Sequence, residues 1–84
     1  MSKDYDLELY YFETCPYCIK VFNFLQEKGI EDEIIKKNIH KDPEAKNELI
    51  EIGGKNQVPC LFINGEPMYE SEDIIEWFKN NYLD

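Results

Sequence analysis

The feature that most constrains the fold is a junction near the start of the chain. A strand-like run from Leu7 to Phe12 leads almost at once into Cys15-Pro16-Tyr17-Cys18 and then into apolar residues at helical spacing. Leu7-Glu8-Leu9-Tyr10-Tyr11-Phe12 passes from alternation to continuous apolarity, the pattern of a mostly buried strand. Pro16 lacks an amide hydrogen and suits the first helical turn, with Thr14 or Cys15 as the cap. Cys18, Val21, Phe22 and Leu25 then recur at i, i+3, i+4 and i+7, and Lys28-Gly29 ends the stripe. Glu33 to Ile39 reads as a second strand. Strand, helix and strand in so short a stretch make a βαβ unit, parallel and right-handed by default.

The rest of the chain adds to that unit. Asp42-Pro43 opens a second helix, with Asp42 as cap, Ala45, Leu49 and Ile52 facing inward, and Gly53-Gly54 as the stop. The apolar run Val58 to Ile63 ends in Asn64-Gly65, a strong hairpin signal, so Glu66 to Tyr69 returns antiparallel. Ser71 caps a last helix that carries Ile74, Ile75, Phe78 and Tyr82. The order βαβ-α-ββα predicts an α/β fold with a four-stranded mixed sheet flanked by three helices. A length of 84 residues leaves room for one domain, 1–84, whose five Phe, six Tyr and one Trp supply much of the buried area.

Charge and cysteine usage narrow the function. A net charge of −9 lacks the Lys and Arg clusters that nucleic acid requires, and it disfavours anionic membranes. Met1 to Asp6 is polar, without the apolar stretch of a signal peptide, and no run has the length of a membrane span. A cytoplasmic protein is expected. In such a reducing compartment three cysteines do not read as a disulfide scaffold; a close pair there is a metal or redox site. Zinc needs four ligands, and only Cys60 and the lone His40 remain, so no metal is expected. His40 reads as a solvated loop residue, Cys60 as a small apolar core residue, and Trp77 and Phe78 as buried or half-buried.

The pair itself can form a small disulfide and reopen it. Cys15 falls at the helix N-terminus, where free amides and the dipole favour a thiolate. The dipole stabilises an anion by roughly 0.3–1 kcal/mol, so amide hydrogen bonds to the sulfur must supply the rest. Cys18 lies inward on the apolar stripe and would be the resolving thiol. Pro16 stiffens the turn, and Tyr17 stays outside it, able to offer a ring to a bound thiol compound.

Cys15-Pro16-Tyr17-Cys18 after a strand, Val58-Pro59 before another, and Ser71-Glu72-Asp73-Ile74 at the last helix make the chain resemble a dithiol glutaredoxin. The resemblance runs from Leu7 to about Tyr82 and implies a thioredoxin fold. It also implies a glutathione-dependent oxidoreductase acting on protein–glutathione mixed disulfides and protein disulfides. Cys15 would then take the glutathionyl group and Cys18 would serve the dithiol reaction. Val58-Pro59 corresponds to the family's cis-proline corner, whose backbone pairs with the cysteinyl part of glutathione. Ser71 and Glu72 correspond to the segment that holds the γ-glutamyl end, with Tyr17 and Gln57 as further contacts. Two positions depart from the family. Phe12 stands where a lysine often meets the glycine carboxylate, with Lys55 a possible substitute. Tyr69-Glu70 replaces the usual Gly-Gly and resembles glutathione-transferase N-terminal domains, which makes Glu70 a candidate contact.

The expected partners are glutathione and glutathionylated or disulfide-containing proteins, with the chain a monomer. Three other readings remain open at this point. A thioredoxin-like reductant would use Cys15 and Cys18 without glutathione. An iron–sulfur carrier would bridge a cluster with Cys15 and glutathione, a geometry that the stiffness of Pro16 disfavours. A detached glutathione-transferase-like domain would need a helical partner and would rarely carry both cysteines.

Overall fold

The structure, a computed structural model, describes residues 5–82. The polar opening from Met1 to Asp4 and the end of the chain past Tyr82 lie outside them. The strands are β1 (Leu7–Tyr11), β2 (Ile35–Asn38), β3 (Cys60–Ile63) and β4 (Glu66–Tyr69), in the spatial order β2-β1-β3-β4. β1 pairs with β2 in parallel and with β3 antiparallel, and β3 with β4 antiparallel. The helices are α1 (Pro16–Glu27), α2 (Pro43–Gly53) and α3 (Ser71–Trp77), the last continuing as a wider turn over Phe78–Tyr82. The four-stranded mixed sheet with three helices is the thioredoxin-like architecture expected from the sequence.

Strand alternation divides the core in two. Leu7, Leu9 and Leu61 face one side of the sheet, against Val21 and Leu25 of α1 and Ile74 and Phe78 at the other end of the chain. Tyr10, Cys60 and Phe62 face the other side, against Ala45 and Leu49 of α2. Each layer therefore buries its own apolar set, and β1 and β3 serve both. Tyr10 also donates from its hydroxyl to Glu48 of α2 at 3.0 Å, and the same carboxylate oxygen accepts from the Lys37 ammonium of β2 at 3.0 Å.

Several expectations hold at the residue level. Asp42 caps α2, accepting from the Glu44 amide at 3.0 Å, and Gly54 closes it in the left-handed region at φ 85°. Asn64 and Gly65 both turn at positive φ, 52° and 89°, as a tight hairpin needs. Cys60 is fully buried, and Trp77 is half-buried with Tyr5 edge-on at 5.0 Å.

Three details differ. β2 begins at Ile35 rather than Glu33, because Glu31–Glu33 form a single 3-10 turn. That turn brings Ile30 and Ile34 into the same core while the acidic residues face out. Ile52 was expected to face inward and is 57% exposed. Tyr69 packs on that side of the core instead and lies so close to Gly53 that a Cβ there would run into its hydroxyl. Ser71 is not the cap of the last helix but its first helical residue. Glu70 turns at φ 74°, which aligns its carbonyl to accept from the Ile74 amide at 3.1 Å, and it has no side-chain cap bond. The helix starts one residue early and Ser71 is buried at its base.

These differences give a stability test. Gly53→Ala should cost about 1–3 kcal/mol, because the added methyl meets Tyr69. Ile52→Ala at its exposed position should stay within about 0.5 kcal/mol of wild type. Urea denaturation of both variants measures the contrast.

Candidate active site

The reactive end of the molecule is built where β1 gives way to α1. The Cys15 amide donates to the Phe12 carbonyl at 3.3 Å, and its own carbonyl accepts from the Ile19 amide at 3.0 Å. Cys15 is thus the N-cap of α1, in extended conformation, and its sulfur stands where a capping oxygen commonly does. The Cys18 amide donates to Cys15 Sγ at 3.4 Å. Of the two cap residues left open by the sequence, Cys15 and not Thr14 fills the role. Pro16 occupies the first turn, as expected.

The second thiol is deeper. Cys18 is 1% exposed and Cys15 4%. Burial, and then the hydrogen bond and charge of Cys15, push the Cys18 thiol up to about 12, with the Phe12 backbone acting against them. Burial likewise pushes Cys60 up to about 11. Both therefore stay protonated at neutral pH.

Beside the pair, Val58 and Pro59 approach from the start of β3. The bond between them is cis, and the Val58 carbonyl lies 4.0 Å from Cys15 Sγ. A cleft of about 690 Å³ opens here, lined by Tyr17, Gln57, Val58, Pro59, Glu70, Ser71, Glu72 and Asp73. Tyr17 is 64% exposed and stands free at the rim. Gln57 donates from Nε2 to Glu70 Oε2 at 3.3 Å, joining two of the lining residues. Glu72 pairs with Lys20 of α1 at 3.3 Å, in the open.

The structure thus brings together the sequence-predicted residues Tyr17, Gln57, Val58, Pro59, Glu70, Ser71 and Glu72, next to Cys15 and Cys18. Lys55 is placed elsewhere, its ammonium 5.4 Å from the centre of the Tyr69 ring and its carbonyl accepting from the Tyr69 hydroxyl. Asp73 joins the lining as well.

On the far side of Val58 is a second cleft of about 320 Å³, lined by Phe12, Ile39, His40, Lys46, Asn56, Gln57 and Val58. His40, read from sequence as a loop residue, stacks on Phe12 with ring centres 4.4 Å apart and planes 10° from parallel. Neither His40 nor Lys46 belongs to a recognisable motif. Only the fold reveals them, by laying the start of α2 beside the active-site loop.

Among the described residues, no group of three or more His, Cys, Asp or Glu side chains is placed to hold a metal ion. No helix among them is long and apolar enough to cross a membrane.

A thioredoxin-like sheet with a vicinal thiol pair at the start of α1 defines a thiol oxidoreductase of the thioredoxin-fold class. Comparison with known proteins narrows this. Residues 9–84 match the glutathione S-transferase N-terminal domain family. Glutaredoxin 1 of Rickettsia typhi is 30% identical over 76 residues, which cover 90% of this chain and 73% of that protein. The solution structure of glutaredoxin from Brucella melitensis superposes with a TM-score of 0.65 at 28% identity, covering 94% of this chain and 84% of the other. Glutathione transferase Omega 3C of Trametes versicolor superposes with a TM-score of 0.76 at 32% identity, covering 92% of this chain but 34% of the longer protein. The chain belongs to the glutaredoxin family, carries the glutathione S-transferase N-terminal domain pattern, and is a glutaredoxin-type thiol oxidoreductase.

The buried thiols imply a pH dependence of stability. Cys18 and Cys60 hold their protons more tightly folded than at the ordinary value of 9.0, so their contribution is fully present below about pH 9. It is lost as pH rises through about 11 for Cys60 and about 12 for Cys18. From neutral pH the urea midpoint should hold to about pH 9 and fall above it, less steeply in Cys60→Ala.

Proposed function

We propose that the protein is a monomeric, cytoplasmic, glutathione-dependent oxidoreductase that reduces protein–glutathione mixed disulfides, with the single domain 1–84 as the working unit. The observation that carries this reading is the cleft that runs from Val58 and Pro59, beside Cys15, to the acidic start of α3. Glutathione fits that chemistry. Its cysteinyl part lies along Val58 as a peptide adds to a sheet edge. Its γ-glutamyl carboxylate meets Ser71 and the amides at the start of α3, and its ammonium meets Glu70 or Glu72. Tyr17, Gln57 and Pro59 complete the walls.

The cycle is a covalent exchange. The Cys15 thiolate attacks the glutathione sulfur of the mixed disulfide, and the target protein leaves as a thiolate that takes up a proton. Cys15 is then disulfide-bonded to glutathione. A second glutathione, as thiolate, attacks the bound glutathionyl sulfur, oxidised glutathione departs, and the Cys15 thiolate is restored. In the alternative resolution Cys18 loses its proton, attacks Cys15 Sγ and expels glutathione, leaving a Cys15–Cys18 disulfide. That form supports reduction of protein disulfides when glutathione returns it to the dithiol. With its thiol pushed up to about 12, Cys18 is rarely a thiolate at neutral pH, which favours resolution by external glutathione.

Turnover of a glutathionylated peptide with glutathione and glutathione reductase tests the scheme. Cys15→Ser should abolish it, and Cys18→Ser should retain or raise it. Loss of activity in Cys18→Ser would make Cys18 obligatory and replace the reading with a dithiol, thioredoxin-like reductant.

A further inference from the structure

The chain from Gly54 to Pro59, which carries Val58 to Cys15, belongs to no helix or strand. Among the described residues, no backbone–backbone hydrogen bond ties positions 55 to 59. The loop is fastened instead from the corner between β4 and α3. The Tyr69 hydroxyl donates to the Lys55 carbonyl at 3.1 Å, and one residue further on Glu70 Oε2 accepts from Gln57 Nε2 at 3.3 Å. Tyr69 is itself fixed by the sheet. It pairs with Cys60 across β3 and β4, and its ring packs on the core layer of Tyr10 and Leu49. The Lys55 ammonium lies 5.4 Å from the ring centre, so the same lysine meets Tyr69 through both its ends.

A phenylalanine would fill the same place in the core, so packing does not account for the hydroxyl. Its surroundings make room for it. Gly53 leaves open the space that a Cβ would take from it. Burial, and then Cys60, push the phenol above its ordinary value, so it keeps its donor proton at neutral pH. We propose that the Tyr69 hydroxyl is a positioning group for the thiol exchange: by holding the Lys55 carbonyl, it sets the path of the loop that presents Val58 to the tripeptide half of a mixed disulfide. This rests on the glutathione reading given above. A small displacement of that edge misaligns the bound disulfide with Cys15, and exchange depends on such alignment. Lys55 thereby serves the site through its carbonyl, where the sequence suggested its ammonium.

The test follows loss of a mixed disulfide by acid quench and chromatography, in a single turnover with reduced protein and no free glutathione. One peptide is presented in two forms, disulfide-bonded to glutathione or to 2-mercaptoethanol, which has no tripeptide to lie on Val58. Wild type should consume the glutathionyl form faster. Tyr69→Phe should cut that preference about three- to tenfold, the range of one hydrogen bond. The loss should come from a higher half-saturating concentration, with the plateau rate and the mercaptoethanol form unaffected. Tyr10→Phe removes a hydroxyl from the same core layer, bonded to Glu48 at 3.0 Å instead of to the loop, and should keep the wild-type preference. Gly53→Ala, which displaces the Tyr69 hydroxyl, should lower the preference as well and add nothing in Tyr69→Phe. A preference unchanged in Tyr69→Phe, or an equal loss with both substrates, overturns the inference and leaves the glutathione reading intact. Wild type without any preference overturns both. Lys55 is exposed, so water replaces the lost hydroxyl at its carbonyl, and the ratio between substrates cancels any loss of folded protein.

Discussion

The structure depends on a helix that is capped by a thiol. The orphan amides at the start of α1 need acceptors, and the Cys15 sulfur serves one of them through the Cys18 amide. The same residue receives Ile19 on its carbonyl and gives its amide to Phe12 at the end of β1. The sulfur cannot leave its position without uncapping the helix, and the helix is held by Val21 and Leu25 in the core. A reactive atom is thus fixed by the forces that fix the fold.

The antiparallel pairing of β1 with β3 brings the partner segment to it. Tyr10 pairs with Cys60, so the chain just before β3 runs beside the chain just after β1. Val58 and Cys15 meet for that reason, though far apart in sequence. The positive φ of Glu70 then starts α3 early and sets Ser71 and its acidic neighbours around the same opening. The start of α2, held against the opposite face of the sheet by Ala45 and Leu49, brings Lys46 and His40 to the other side of Val58. Val58, whose carbonyl lies beside Cys15 Sγ, thus walls both an acidic and a cationic recess.

Much of this was legible in the residue order. Strand alternation at Leu7 and Leu9, the helical stripe through Cys18, Val21 and Leu25, and the Asn64-Gly65 hairpin are local signals, and each gave the right element. The thiol pair pointed to the site through its spacing at a strand-to-helix junction, and Val58-Pro59 through the resemblance to glutaredoxins. What escaped depended on contacts between distant segments. Ile52 has helical spacing from Leu49, but its inward place is taken by Tyr69, a residue from another strand. Ser71 has the chemistry of a cap, yet the backbone turn at Glu70 decides where the helix begins. His40 and Lys46 carry no periodic or motif signal at all, and the second cleft exists only once β1 and α2 are packed.

The account rests on Cys15 as the atom that accepts the glutathionyl group. The direct measurement is to incubate Cys18→Ser with oxidised glutathione, digest under conditions that preserve disulfides, and map the adduct by mass spectrometry. The account predicts one glutathionyl group, on the peptide that contains Cys15, with Cys60 unmodified inside the sheet. An adduct on Cys60, or none at all, would contradict it.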